Sequence, residues 1–122
     1  MILLDANYIL RFLLKDNLKM YEEAKNCIIT NECKILTEVF AEVVFVLQKV
    51  YKVNRTDIQT TLSQLLKYKT IFIDEQESIL KALKIFASKN LDFVDAVLCA
   101  KSYNYQIKTF DKKLNKCINS FK

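Results

Sequence analysis

The sequence has no glycine, no proline and no histidine in 122 residues. Without glycine and proline the usual markers of turns are missing, so loops have to be inferred from clusters of asparagine, aspartate and lysine. Without histidine the chain lacks the commonest metal ligand and the commonest general base. These absences argue against a structural zinc site and against Ser–His or Cys–His catalysis.

Cysteine is scarce and scattered. The four cysteines, Cys27, Cys33, Cys99 and Cys117, contain no CxxC pair. No basic segment precedes the apolar N-terminal residues, and Asp5 interrupts them, so a secretory signal is not predicted. We therefore expect no disulfide framework, and we interpret Cys99 and Cys117, which lie among apolar neighbours, as small core residues.

Long apolar runs are also absent, and none approaches the ~20 residues that a membrane span requires. The predicted location is the cytoplasm, with no membrane association. A content of 52% hydrophobic and 27% charged residues is typical of a folded globular protein, and the length fits one domain, residues 1–122. The net charge of +5 favours an anionic partner such as nucleic acid, although a lysine-rich solvated surface explains it equally well.

Short apolar runs of strand length alternate with longer segments of helical spacing. Strands are predicted near residues 2–4, 34–36, 70–73 and 106–109. Helices are predicted between them from apolar stripes, among them Ile58 with Leu62 and Ile79 with Leu83. A helix over 38–50 is apolar nearly all round, which suggests that it is buried between other elements, and a further helix is predicted over 92–103. This alternation indicates an α/β fold with a parallel sheet.

Four acids interrupt apolar stretches of the chain: Asp5, Glu42, Asp95 and Asp111. Carboxylates are rare in such settings unless a counter-charge compensates them. Ligands of parallel sheets bind at the carboxyl ends of the strands, and Asp5 and Asp111 follow the first and last predicted strands. If those strands are neighbours, the two carboxylates face one crevice. Because oxygen ligands suit Mg²⁺ and Mn²⁺, the four acids together predict a divalent-cation site.

Each acid also has a purely structural interpretation. Asp5 could cap the first helix, and Glu42 could pair with a lysine of its own helix. Asp92 and Asp95 could be the N-cap and a first-turn acid of one helix. Asp111 could be a turn residue after a strand. Singly, none of these acids predicts a site, but their order along the chain does.

Three stretches carry a family resemblance: LDANYILRFLL, then ILTEVFAEVVFVL, then LDFVDAVLCAKS followed by IKTFDKKL. In this order they resemble the PIN-domain ribonucleases, specifically the VapC-type toxins of bacterial toxin–antitoxin pairs. The resemblance implies a three-layer α/β/α PIN-like domain with a central, mainly parallel sheet of four to five strands. The segment over 102–106 lacks the glycine that the family commonly has before its last strand, and it is slightly short.

The resemblance also implies the residues of the site. The family's four catalytic acids match Asp5, Glu42, Asp95 and Asp111, of which Asp5 and Asp95 are expected to hold the metal. Glu38, one helical turn before Glu42, is the competing glutamate; Glu42 is preferred because its neighbours are more apolar. Supporting roles beside these acids fall to Asn7, Asp92 and Thr109.

The activity implied is that of a Mg²⁺- or Mn²⁺-dependent endoribonuclease that cleaves single-stranded regions of RNA with activated water. The expected partners are the RNA substrate, a cognate antitoxin and a second copy of the chain. The lysines near the C-terminal acid are candidates for binding the RNA backbone: Lys108, Lys112, Lys113 and Lys116.

Two other interpretations remain open at this point. One is a PIN-like module that binds RNA or a partner without cutting, which the loss of an acid would favour. The other is a receiver-type signalling domain, for which Asp74 after the third predicted strand would be the phosphoacceptor.

Overall fold

A computed structural model describes all 122 residues and contains three short strands and seven helices. The strands are β1 (Ile2–Leu3), β2 (Cys33–Lys34) and β3 (Ile71–Phe72). The helices are α1 (Ala6–Leu14), α2 (Leu18–Thr30), α3 (Thr37–Lys49), α4 (Arg55–Leu65), α5 (Gln76–Ser88), α6 (Phe93–Lys101) and α7 (Lys112–Asn119). None of these helices combines the length and the apolarity that crossing a membrane would need.

The strands form one parallel sheet in the order β1-β2-β3. Helices α1 and α2 connect β1 to β2, and α3 and α4 connect β2 to β3. Parallel neighbours require such crossovers, because a tight turn can join only antiparallel strands. The α/β fold with a parallel sheet is therefore as predicted.

The prediction of four to five strands is wrong, because no strand forms over residues 106–109. No hydrogen bond between two backbone groups involves residues 106–110. The Thr109 carbonyl instead accepts a hydrogen bond from the Asn115 side chain at 2.9 Å. The segment is thus held to α7 rather than to β1. As a result β1 is an edge strand, and its side chains Ile2 and Leu3 are exposed.

Five helices begin at a polar side chain that caps their free N–H groups. The caps of α1, α2, α4, α6 and α7 are Asp5, Asn17, Asn54, Asp92 and Asp111. Each of these side chains accepts a hydrogen bond from the backbone N–H three residues later. This arrangement satisfies N–H groups that have no partner inside the helix.

Asparagine marks several helix ends, as the sequence suggested, but it does not take the left-handed backbone conformation there. The residues with positive φ are Lys15, Lys52 and Glu75, at 55°, 56° and 50°. A residue with a Cβ is strained at such angles, and in a chain without glycine lysine and glutamate occupy them.

The core is one cluster of 33 buried residues, none of them polar or charged. Helix α3 contributes Phe40, whose ring packs against that of Phe93 on α6 with the centroids 5.6 Å apart. The prediction that α3 is enclosed nearly all round is wrong: its outer face is open, and Phe45 and Val50 are exposed. The opposite face of α3 packs on α1, α4 and α6.

Cys99 and Cys117 form a disulfide between α6 and α7, which corrects the expectation of free thiols. Both are core residues, as predicted, with relative exposures of 0% and 2%. Their separation of 18 residues gave no recognisable spacing signal. Cys27 and Cys33 remain free.

Arg55, one of only two arginines, organises the turn before α6. Its guanidinium donates hydrogen bonds to the carbonyls of Phe86, Lys89 and Leu91 at 3.0, 3.1 and 2.5 Å. It also lies 4.3 Å from the centre of the Phe86 ring. A single planar side chain thereby fixes the backbone that leads to Asp92.

Candidate active site

Asp95 lies in the first turn of α6, half-buried, on a helix that Asp92 caps. The Asp92 carboxylate accepts a hydrogen bond from the Asp95 backbone N–H at 2.8 Å. The helix cap predicted for Asp92 is therefore present. The cap uses the Asp95 backbone N–H, and the Asp95 carboxylate itself makes no hydrogen bond within the chain.

Asp111 caps α7 and accepts a hydrogen bond from the Leu114 N–H at 2.8 Å. Thr109 holds it in place, since its hydroxyl oxygen accepts a hydrogen bond from the Asp111 N–H at 3.0 Å. The side chain of Asn115 in turn fixes the Thr109 carbonyl. Thr109 therefore positions Asp111 directly.

The three aspartates act on one another electrostatically. The pKa of Asp95 is raised above its ordinary value, first by burial and then by the negative charges of Asp92 and Asp111. Burial and like charges both disfavour the ionised carboxylate. The ion pairs of the molecule lie elsewhere, at Arg11–Asp16, Lys34–Asp74 and Lys101–Glu75. The negative charge at the start of α6 and α7 is therefore not neutralised by a basic side chain.

Asp5 caps α1. Its carboxylate accepts a hydrogen bond from the Tyr8 N–H at 2.8 Å, and it borders an open cavity of about 380 Å³ with Tyr8 and Cys27. It is not among the charges that raise the pKa of Asp95. The structural interpretation of Asp5 as a helix cap is thus realised. Asn7 is exposed in the first turn of α1.

Glu38 and Glu42 are both exposed on α3, and neither makes an ion pair. Glu42 therefore does not form the ion pair with a lysine of its own helix that the sequence allowed. The next turn of α3 shares an open cavity of about 420 Å³ with the start of α6, including Phe45 on one side and Asp92 on the other.

The structure brings together Asp92, Asp95 and Asp111, whereas it gives no such link for Asp5 or Glu42. No group of three or more Asp, Glu or Cys side chains is arranged to hold a metal ion. Asp5 and Asp111 do not follow neighbouring strands as predicted, because the fourth strand does not form. Asp111 reaches Asp95 through the packing of α6 on α7 instead.

The four predicted RNA-binding lysines divide into separate groups. Lys113 and Lys116 border one cavity, whereas Lys108 borders another with Tyr103 and Tyr105. Lys112 is exposed at the first position of α7.

Sequence reasoning missed two basic residues of this region. Lys89 shares the cavity of Lys113 and Lys116 but lies 24 residues before Lys113, so no local pattern linked them. Arg55, which fixes the turn before Asp92, carried one signal only, the rarity of arginine in a lysine-rich chain.

Comparison with known proteins identifies the family. The PIN domain family matches residues 2–117, nearly the whole chain. Neither the curated proteins nor the solved structures contain a significant match to the sequence. The match includes α1, α3, α6 and the start of α7, where the predicted acids lie. PIN domains are generally nucleases and usually bind divalent metals. On this match over most of its length, the chain belongs to the PIN domain family.

Proposed function

We propose that the chain is a Mg²⁺- or Mn²⁺-dependent endoribonuclease that cleaves single-stranded regions of RNA. The observation that carries the proposal is the group of Asp92, Asp95 and Asp111, three carboxylates with no basic partner at the start of two packed helices. Membership of a family that generally consists of nucleases gives this acidic surface its chemical context.

The donors fit a hard cation in their chemistry. Asp5, Asp92 and Asp111 each use one carboxylate oxygen for a cap and keep the other, while Asp95 keeps both. Since these oxygens are not gathered around one point, a rearrangement of the side chains has to accompany binding. Asp5 and Asp95 would hold the ion, with Asp111 completing the group of acids.

A bound Mg²⁺ or Mn²⁺ supplies Lewis-acid chemistry at a phosphodiester oxygen and lowers the pKa of a water molecule. Glu42 would orient the attacking water or take its proton, and Asp111 would complete the negative surface. Thr109 keeps Asp111 in place and Asp92 caps α6. Asn7, two residues after Asp5, would be a polar support. We propose no covalent intermediate, and the expected products carry a 5′-phosphate and a 3′-hydroxyl.

Chelation tests this function directly. We expect cleavage of a labelled single-stranded RNA to stop in EDTA and to return with Mg²⁺ or Mn²⁺. Binding of the ion to the native chain should also raise its melting temperature, because a ligand that binds only the folded state stabilises it. Undiminished cleavage in excess EDTA, with no thermal shift on adding Mn²⁺, would contradict the metal-dependent mechanism.

A second test distinguishes the roles of the two glutamates of α3. Glu42→Gln is expected to lower the cleavage rate by about 100-fold or more if Glu42 handles the water. Glu38→Gln should leave the rate nearly unchanged and cost less than about 1 kcal/mol of stability, as for a first-turn helix acid. Both variants remove one exposed charge from the same helix, so each is the control of the other. If Glu38→Gln alone slowed cleavage, Glu38 would take the role proposed for Glu42.

We further propose that the chain, as a single nuclease domain over 1–122, is the VapC-type toxin of a toxin–antitoxin pair. A cognate antitoxin and a homodimer in the cytoplasm belong to this proposal. A non-catalytic binding module is less well supported, since all four acids of the nuclease pattern are present. The match to the PIN domain family replaces the receiver-type interpretation, and Asp74 is paired with Lys34 at 3.1 Å.

A further inference from the structure

A cavity of about 330 Å³ lies between the turn after α5 and the outer side of α7. Three of its seven lining residues are lysines and none is acidic. We call it the lysine cleft; it is lined by Lys89, Asn90, Leu91, Lys113, Lys116, Cys117 and Ser120.

The three lysines reach the cleft for simple geometric reasons. Lys113 and Lys116 are three residues apart on α7, so their side chains share one face of the helix. Lys89 follows the end of α5 and approaches from the opposite wall. None of the three takes part in an ion pair. Three unpaired ammonium groups around one cavity repel one another, and an anion between them relieves that repulsion.

Both walls of the cleft are fixed. Arg55 holds the Lys89 and Leu91 carbonyls, which sets the turn after α5. The Cys99–Cys117 disulfide ties α7 to α6. Because these groups are already ordered, a bound anion loses little affinity to rearrangement of the backbone.

The cleft also adjoins the acids of the candidate active site. Asp92 follows Lys89 by three residues, and Asp111 precedes Lys113 by two. Three residues span at most about 10 Å, so both walls of the cleft lead to the acidic group over a short distance. An extended polyanion that passes the acids would place a neighbouring phosphate at the lysines.

We propose that Lys89, Lys113 and Lys116 bind a backbone phosphate of single-stranded RNA beside the scissile phosphodiester. This inference rests on the proposed function and assigns part of the substrate path. The occupant is a phosphate rather than a base, because the cleft offers ammonium donors, whereas the Ser120 hydroxyl already donates to the Cys117 carbonyl at 2.6 Å.

The test is binding of a short fluorescent single-stranded RNA in EDTA, followed by anisotropy over a range of salt concentrations. The variant is Lys89→Gln/Lys113→Gln/Lys116→Gln. The control, Lys19→Gln/Lys67→Gln/Lys69→Gln, removes the same charge from exposed lysines outside the cleft. For one lost phosphate contact, the slope of log affinity against log salt should fall by about 0.7, with about 5-fold weaker binding near 0.1 M salt. The control should change far less.

Equal effects of the two triple variants would overturn the proposed phosphate site, because the loss of positive charge alone would then explain the weaker RNA binding. Loss of binding to polyglutamate with unchanged RNA binding would also overturn it and point to an acidic protein partner. These results differ from a failure of the proposed function. In that case the unmodified chain would neither cut nor bind RNA, whereas a failure of the cleft alone would leave metal-dependent cleavage intact.

Discussion

Asp95→Asn is expected to reduce RNA cleavage by about 100- to 1,000-fold or more while making the metal-free protein more stable at neutral pH. The rate falls because Asp95 is the one acid of the group with both carboxylate oxygens free to act on a cation. Stability rises because the substitution removes a half-buried charge that faces two other carboxylates.

The gain in stability should depend on pH. The pKa of Asp95 is raised in the folded state, so the folded chain holds this proton more tightly than the unfolded chain. Stability from this group is then lost as the pH rises from the unfolded value, about 3.9, through the higher folded value. We therefore expect the advantage of Asp95→Asn to be present at pH 7 and to disappear below about pH 3.9.

Asp57→Asn is the matched control, since Asp57 occupies the same third position of α4 that Asp95 occupies in α6. It also follows a capping side chain, Asn54. Melting temperatures at neutral and acid pH, together with cleavage rates, distinguish the two variants. A folded Asp95→Asn protein that cuts RNA at the normal rate would remove Asp95 from the mechanism.

Reduction of the Cys99–Cys117 disulfide is expected to lower the free energy of unfolding by about 3 kcal/mol. The bond closes a loop with a sequence separation of 18 residues, and opening it restores freedom to the unfolded chain. Cys117→Ser should behave similarly or be slightly less stable, because a hydroxyl replaces buried sulfur.

Denaturant unfolding with and without a reducing agent measures this effect. Cys27→Ser is the control, because Cys27 is a free, half-buried thiol whose loss leaves the disulfide in place. Equal stability of oxidised and reduced protein would show that the bond is not formed in solution or does not constrain the chain. In a reducing cytoplasm the disulfide would be reduced, so the stability of the reduced protein decides whether it stays folded in the proposed location.

The helices were the most predictable part of the fold. The spacing of Ile58 and Leu62, and of Ile79 and Leu83, predicted α4 and α5 because a buried helix face leaves a periodic pattern. That no strand forms over residues 106–109 was not predictable in the same way. These four residues have strand-like alternation, but a strand exists only where a neighbouring strand accepts and donates its hydrogen bonds. Here the Asn115 side chain donates to the Thr109 carbonyl instead.

The site was predictable in its chemistry and less so in its geometry. Oxygen ligands followed from the absence of histidine, and the cap at Asp92 followed from its spacing to Asp95. The relative placement of Asp5 and Asp95 was not predictable, since it depends on how the crossover helices place two distant helix starts. Lys89 was missed for the same reason.

The helix caps bear on how random mutagenesis of this protein should be interpreted. Asp5, Asp92 and Asp111 each begin a helix, so alanine at these positions costs about 0.5–2 kcal/mol whatever their chemical role. A selection for inactive clones would therefore recover these positions for two unrelated reasons. Asparagine caps a helix as well as aspartate does, and the exchange of one for the other separates the two. Asp95 caps nothing, so inactive clones at that codon do not arise from the loss of a helix cap.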